Sequence, residues 1–368
     1  MKQYTKILTP FADKGKWKSV LEVIQEMRAE GLEPNEFTCT CVITALANNP
    51  EGGLADAAEE AFEQMRSTGI RPTTMSYTAL ITAMANAHGG KKWKDAERIF
   101  QEMVAEGIAL DVQAFTALIT AYEKAAGGSQ WEKALRSFQQ MRDAGIKPND
   151  VAYTALITAL AKALKGSQWK LALNFLREMQ EAGLKPSILT YTGLIAAVGN
   201  APEGSQWKLA INLFEKMESE GVRADAIAYS ALFSALSKAK ARGKELSQKA
   251  EKYFWKMDSE DILPDVRTCN SFLRVMKQAP KRDQWQKMER CYNMMTSEGP
   301  EPNAETYTLL LFSIGNAPDF TGPFAKRAVE LLICARGKRG FANSKKHARL
   351  KHLLAKAGMK AEAEDLIE

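Results

Sequence analysis

The chain has 368 residues, 45% of them apolar and 26% charged, the proportions of an ordinary well-packed protein, and no apolar run approaches the roughly 18 residues of a membrane span, which excludes a membrane protein. Five scattered cysteines (Cys39, Cys41, Cys269, Cys291, Cys334) form no CxxC pair and there are three histidines, too few ligands for a zinc cluster, so no metal or other cofactor is expected and a reducing compartment suits the thiols. The net charge of +6 is unevenly placed: residues 337–360 hold eight Lys/Arg and no Asp/Glu, and the chain before them carries 42 basic against 40 acidic residues.

The first predicted hairpin, 1–35, opens almost at once with Tyr4-Thr5, without a secretion signal or an Arg- and Ser-rich transit segment, so any imported form is expected to be the mature one. A strict period then sets in. Met27, Met65, Met103, Met141, Met179 and Met217 lie 38 residues apart, followed by Met257 after 40 and Met295 after 38. Gly31, Gly69, Gly107, Gly145, Gly183 and Gly221 keep the step, Asp261 replaces the glycine once, and Gly299 and Gly337 resume it. Trp17, Trp93, Trp131, Trp169, Trp207 and Trp285 stand ten residues before their methionines.

Inside 150–187, Ala155, Leu156, Ala159, Leu160 and Ala163 follow helical spacing, as do Trp169, Ala172, Leu173, Leu176 and Met179, with Gly166-Ser167 between the two runs. Gly183 suits a left-handed helix end and Pro186 bars continuation. Each period is therefore a helical hairpin that buries its apolar stripe only against neighbours. The predicted fold is all-α: stacked hairpins at 1–35, 36–73, 74–111, 112–149, 150–187, 188–225, 226–265, 266–303 and 304–341, then a cap at 342–368. The Trp and Met columns lie at core spacing and are read as packing. Tyr77, Phe115, Tyr153, Tyr191, Tyr229 and Tyr307, at the starts of first helices, are expected to be wedged between layers.

Met, Gly four residues later, Pro, then an aromatic followed by Thr/Ser/Asn and a Leu-Ile pair resembles the pentatricopeptide repeat family over residues 1–341, although most units here are 38 residues long rather than 35. The resemblance implies a right-handed α-solenoid superhelix that binds single-stranded RNA in a mitochondrion or chloroplast, one base per unit, along the first helices. It assigns base reading to the residue after the aromatic together with the last residue of the unit. Carried over, Thr5 with Asn35 implies A, Thr78 with Asp111 G, and Thr116 with Asn149 A; Thr192 with Asp225 and Ser230 with Asp265 imply G, and Asn270 with Asn303 implies C. Thr40 with Thr73 and Thr154 with Ser187 imply purines, and Thr308 with Phe341 is unreadable. A Thr hydroxyl can donate to a purine nitrogen and a carboxylate can accept from guanine N–H groups. The implied target is a purine-rich strand: A, purine, G, A, purine, G, G, C. The alternative leaves the hydroxyls as helix caps.

The family sandwiches bases with the residue three before the reader, here apolar at Phe37, Met75, Val151, Leu189 and Ile227, while Lys2, Gln113, Arg267 and Glu305 depart from that pattern. It contacts phosphate with a lysine late in the first helix, matched by Lys124, Lys162 and Lys238; Asp13, Asn48, Asn86, Asn200, Gln278 and Asn316 fill the other copies. Lys238, Lys240, Arg242 and Lys244 form an extra basic patch. In the tail, Leu350, Leu353, Leu354 and Ala357 share one face of a basic amphipathic helix, suited to a cap or to an RNA or ribosome contact. No HxE/PCxxC pair, phosphate loop or catalytic triad is found, and carboxylate pairs such as Glu59-Glu60 are read as solvated, so no enzymatic activity is expected. Two functions remain open: a sequence-selective RNA binder in organellar transcript stabilisation, processing or translation, and a scaffold subunit of a ribosome or another ribonucleoprotein or transcription complex.

Overall fold

The computed structural model describes residues 2–52, 54–163, 168–240, 243–278, 281–297, 299–315, 322–335, 338, 352 and 354–355. Eighteen α-helices and no strand occur among the described residues. First helices of successive hairpins, here called A helices, are α1 (Lys2–Asp13), α3 (Glu36–Ala47), α5 (Thr74–Ala85), α7 (Val112–Glu123), α9 (Asp150–Ala161), α11 (Ile188–Gly199), α13 (Ala226–Ser237), α15 (Val266–Met276) and α17 (Ala304–Ile314). B helices are α2 (Trp17–Ala29), α4 (Ala55–Ser67), α6 (Trp93–Ala105), α8 (Trp131–Asp143), α10 (Trp169–Glu181), α12 (Trp207–Ser219), α14 (Lys244–Ser259), α16 (Lys281–Ser297) and α18 (Gly322–Ala335). Gly166-Ser167, Arg242, Asn316, Gly337, Phe341 and nearly all of the predicted cap at 342–368, as well as the side chains of Lys2 and Thr5, lie outside the described residues.

The chain forms two compact units, Met1–Ala197 and Val198–Glu368. In the first, α1, α3, α5, α7 and α9 lie side by side as one layer, and each B helix from α2 to α8 packs under its own A helix and the next. In the second, α13, α15 and α17 form the layer, with α14 and α16 bridging successive A helices beneath it. Position in the layer explains the two patterns of side chains. An A helix meets neighbours on both flanks and a floor below, so α9 buries eight of its twelve residues. A B helix needs only one apolar stripe, and α10 buries Ala172, Phe175, Leu176 and Met179, one helical face.

The repeated break has a common cause. Gly299 after α16 is an exception, but after the B helices α2 to α12 the glycine turns left-handed, with φ between 69° and 79° from Gly31 to Gly221. The next N–H then returns to the methionine carbonyl, as in Leu184 N to Met179 O at 3.0 Å, the bonding of a Schellman end with an apolar residue just past the glycine. Asp261 adopts the same turn at φ 55° without being glycine. All eight periodic methionines from Met27 to Met295 are at most 2% exposed. The expected aromatic wedges are buried as well, with ring centroids 4.9 Å apart for Phe62 and Tyr77 and 5.1 Å for Phe138 and Tyr153. The tryptophans differ from the methionines: Trp17, Trp93, Trp131 and Trp169 start their B helices half-buried, and Trp207 is buried.

Candidate nucleic-acid interface

The A helices present a regular set of side chains near their N-terminal ends. Each residue that closes a unit is the N-cap of the next A helix. Side chains of Asn35, Asp111, Asn149, Asp225, Asp265 and Asn303 accept a hydrogen bond from the third helical N–H, at 2.8 Å for Asp111 and Asp225. Thr73 caps through a box with Ser76, and Ser187 takes the same position before Thr190. Three residues before the reader, and so on the same helix face, come Met75, Val151, Leu189 and Ile227, which are 66%, 53%, 63% and 63% exposed. Phe37, in the same column, is instead half-buried against the first core cluster around Leu8 and Val20.

The residues after the aromatics, to which the resemblance assigns base reading, vary. Thr78, Thr116, Thr154, Thr192, Ser230 and Thr308 are half-buried, whereas Thr40 is 6% and Asn270 3% exposed. Hydroxyls of Thr40, Thr116, Thr154 and Thr308 donate back to the carbonyl four residues earlier. Thr78 Oγ1 is enclosed and makes no hydrogen bond. In two of the pairs the residue after the aromatic and the closing residue are connected, once through an intervening threonine and once directly. Thr154 Oγ1 is 2.7 Å from Thr190 Oγ1, which lies 3.2 Å from Ser187 Oγ. Asn270 Nδ2 donates to Asn303 Oδ1 at 3.1 Å and towards Glu305 at 3.5 Å, while its Oδ1 accepts from Thr306 at 2.7 Å.

At the other end of the A helices, Lys124, Lys162 and Lys238 are the C-cap residues of α7, α9 and α13. Lys124 Nζ donates to Asn86 at 2.9 Å and Lys238 Nζ to Asn200 at 2.6 Å, while Lys162 is ion-paired with Glu123. Partial desolvation, then the nearby positive charges of Arg267 and Arg274, hold Lys238 below the usual lysine range. Asn48 and Asn86 complete the column by donating to carbonyls of the preceding A helix, Ala12 O at 3.4 Å and Ala47 O at 3.0 Å. No cluster of three or more metal-ligating side chains occurs among the described residues.

The model of the pentatricopeptide repeat domain matches residues 35–87, 98–161, 136–201 and 252–317, together more than half of the chain. This chain belongs to the pentatricopeptide repeat family. Two further repeat models of the family match residues 3–48 and 75–108. No curated protein shows significant overall similarity to it. Among solved structures it resembles the pentatricopeptide repeat protein PPR10 in complex with an 18-nt psaJ RNA element, with 20% identity, a TM-score of 0.58, and coverage of 100% of this chain and 56% of that one. A cysteine-to-serine variant of PPR10 with the same element gives the same figures, and PPR10 from maize aligns with a TM-score of 0.46 at 22% identity over 99% of this chain and 57% of that one. The chain thus spans little more than half the length of these relatives, and the likeness establishes the fold.

In this pentatricopeptide repeat protein the hydroxyls of Thr40, Thr116, Thr154 and Thr308 bond back within their own helices, and the closing residues are the caps. Sequence reasoning missed that role, although Asn35-x-x-Thr38, Thr73-x-x-Ser76 and Asn303-x-x-Thr306 are capping boxes at the start of apolar runs. The column of Lys124, Lys162 and Lys238 with Asn48, Asn86 and Asn200 is legible in the sequence, but the hydrogen bonds that tie its members to the neighbouring A helix are not. Glu59, read as solvated, pairs with Arg98 at 2.6 Å.

Proposed function

We propose that the exposed face of the A helices binds a single strand of purine-rich RNA, one nucleotide per hairpin, in organellar RNA metabolism. The observation that carries this is the apolar column. Met75, Val151, Leu189 and Ile227 are four of the ten large hydrophobic side chains left exposed among the described residues, and each stands one helical turn from a hydroxyl. Isolated exposed apolar residues are common, but a column in register with polar readers offers surfaces on which bases can rest while their edges meet hydroxyls and carboxylates. Such stacking is worth about 1–3 kcal/mol per base. Family membership and the likeness to a protein solved with RNA support the reading. Stabilisation, processing or translation would each follow from occupancy alone, without chemistry on the RNA, and a mitochondrial or chloroplast setting agrees with the family.

Titration with AGGAAGGC and with a pyrimidine octamer at one salt concentration tests this. Purine RNA binds more tightly, and Thr192→Asn or Ser230→Asn weakens it by about 1–3 kcal/mol, the usual size of a base-edge contact. Equal affinity for both octamers would instead favour a scaffold subunit of a ribonucleoprotein or transcription complex, a reading to which the buried Thr40 and Asn270 lend weight.

A further inference from the structure

Between α9 and α11, within the first compact unit, a third hydroxyl joins the two that face the fifth base. Thr190, the third residue of α11, is fully buried, while Thr154 on α9 and Ser187 just before α11 are half-buried. Thr190 Oγ1 lies 2.7 Å from Thr154 Oγ1 and 3.2 Å from Ser187 Oγ, and it accepts from the Ser187 N–H at 3.2 Å. The sequence around α11 permits this contact. Three residues after Thr190, where Ala79, Ala117 and Ala155 stand in other A helices, comes Gly193, and a Cβ there would lie 3.3 Å from Thr158 Oγ1 on α9. Beside Thr78, Thr116 and Thr192 the place of Thr190 is taken by Ala114, Ala152 and Ala228, which have no side-chain polar atom. Thr38 and Ser76, also at this place, give their hydroxyl hydrogens to the cap carbonyls Asn35 O and Thr73 O instead.

The count of hydrogens gives the cluster a direction. Thr154 Oγ1 donates its one hydrogen to Asp150 O at 2.8 Å, and a carbonyl can only accept. Thr154 therefore accepts from Thr190, which uses the single hydroxyl hydrogen of Thr190. The contact between Ser187 Oγ and Thr190 Oγ1 then needs the hydrogen of Ser187, whose oxygen also faces the Thr190 N–H at 3.4 Å. With these bonds made, Ser187 offers a ligand an electron pair and no hydrogen.

From this arrangement we infer that Thr190 is a positioning residue for the fifth base: it holds the Ser187 hydroxyl as an acceptor, in the manner of a closing carboxylate, so that the fifth hairpin selects G over A. The inference rests on the RNA-binding reading above and narrows the purine implied by Thr154 with Ser187. Guanine brings N1–H and N2–H donors to such an acceptor, whereas adenine would set its N1 electron pair against that of the oxygen.

Titration of the full chain and of its Thr190→Val and Thr190→Ser variants with AGGAGGGC, AGGAAGGC and AGGAGAGC at one salt concentration tests it. The unsubstituted chain binds AGGAGGGC about tenfold more tightly than AGGAAGGC, within the range of a good base-edge contact. Thr190→Val fills the same space without a hydroxyl and releases the Ser187 hydrogen for adenine N1, so this fifth-position ratio falls to about twofold or less. The sixth-position ratio, AGGAGGGC against AGGAGAGC, belongs to Thr192 with Asp225 and stays as it was. Thr190→Ser returns the hydroxyl and restores the fifth-position ratio. A purely structural Thr190 would weaken all three octamers together and leave both ratios alone, which overturns the inference. If the unsubstituted chain binds AGGAAGGC as tightly as AGGAGGGC while the sixth position still discriminates, the Thr190 inference falls alone. If neither position discriminates, it falls together with the reading beneath it.

Discussion

Asp225 caps α13 by accepting from Ala228 N–H at 2.8 Å, and the family pattern also gives it a base to read. The two roles separate by substitution. Asp225→Ala removes the cap and costs about 1 kcal/mol of stability, measurable by urea unfolding. Asp225→Asn keeps an oxygen at the cap, so stability stays within a few tenths of a kcal/mol, while the sixth base preference moves from G towards A in competition binding. If both variants lose stability and neither shifts the preference, the column is structural only. Residue identities in these columns were legible in the sequence because the period is strict. Their hydrogen bonds were not, since a Thr that bonds back to its own helix and a Thr left without a partner, such as Thr154 and Thr78, look alike as letters.

At the scale of the element, the helix ends are set by local rules, which is why the sequence located them. Met141 sits fully buried below the Schellman end at Gly145, with Ile146 N returning to Met141 O at 3.0 Å. Met141→Ala leaves a cavity and costs about 2–5 kcal/mol, read from the unfolding midpoint. Asp261 shows the same turn under strain: a side chain at φ 55° sits in a region that disfavours L-residues by about 1–2 kcal/mol, less for Asp. Asp261→Gly is therefore expected to raise stability by about 0.5–1 kcal/mol, and an unchanged or lower midpoint would show that the carboxylate contributes compensating bonds. The exact start of α16 was less legible: its helix begins at Lys281, four residues before Trp285, because the sequence marks the core position and not the first turn.

Across the molecule, the near-neutral charge of the repeats reflects pairing between successive B helices. Lys133 meets Glu97 at 2.7 Å, Lys287 meets Glu251 at 2.6 Å and Arg327 meets Glu289 at 3.1 Å, all partly exposed. Each such pair is worth about 0–1 kcal/mol, but together they occupy charges that would otherwise attract phosphate. Summed composition hinted at this balance without revealing the pairing, which depends on packing between consecutive hairpins. The consequence is a shallow salt dependence for RNA binding: with few free lysines on the A-layer face, a log–log slope of about −2 to −4 is expected from roughly 0.7 per neutralised phosphate, checked by titration from low to physiological salt. A much steeper slope would place the RNA on the basic C-terminal segment instead. Selection of bound octamers from a randomised RNA pool tests the central claim most directly. Hairpins that read bases predict purine enrichment with G at the third and sixth positions, moving to pyrimidine at the sixth in Thr192→Asn; a bound pool with no base preference, or one that the substitution leaves unchanged, would contradict it.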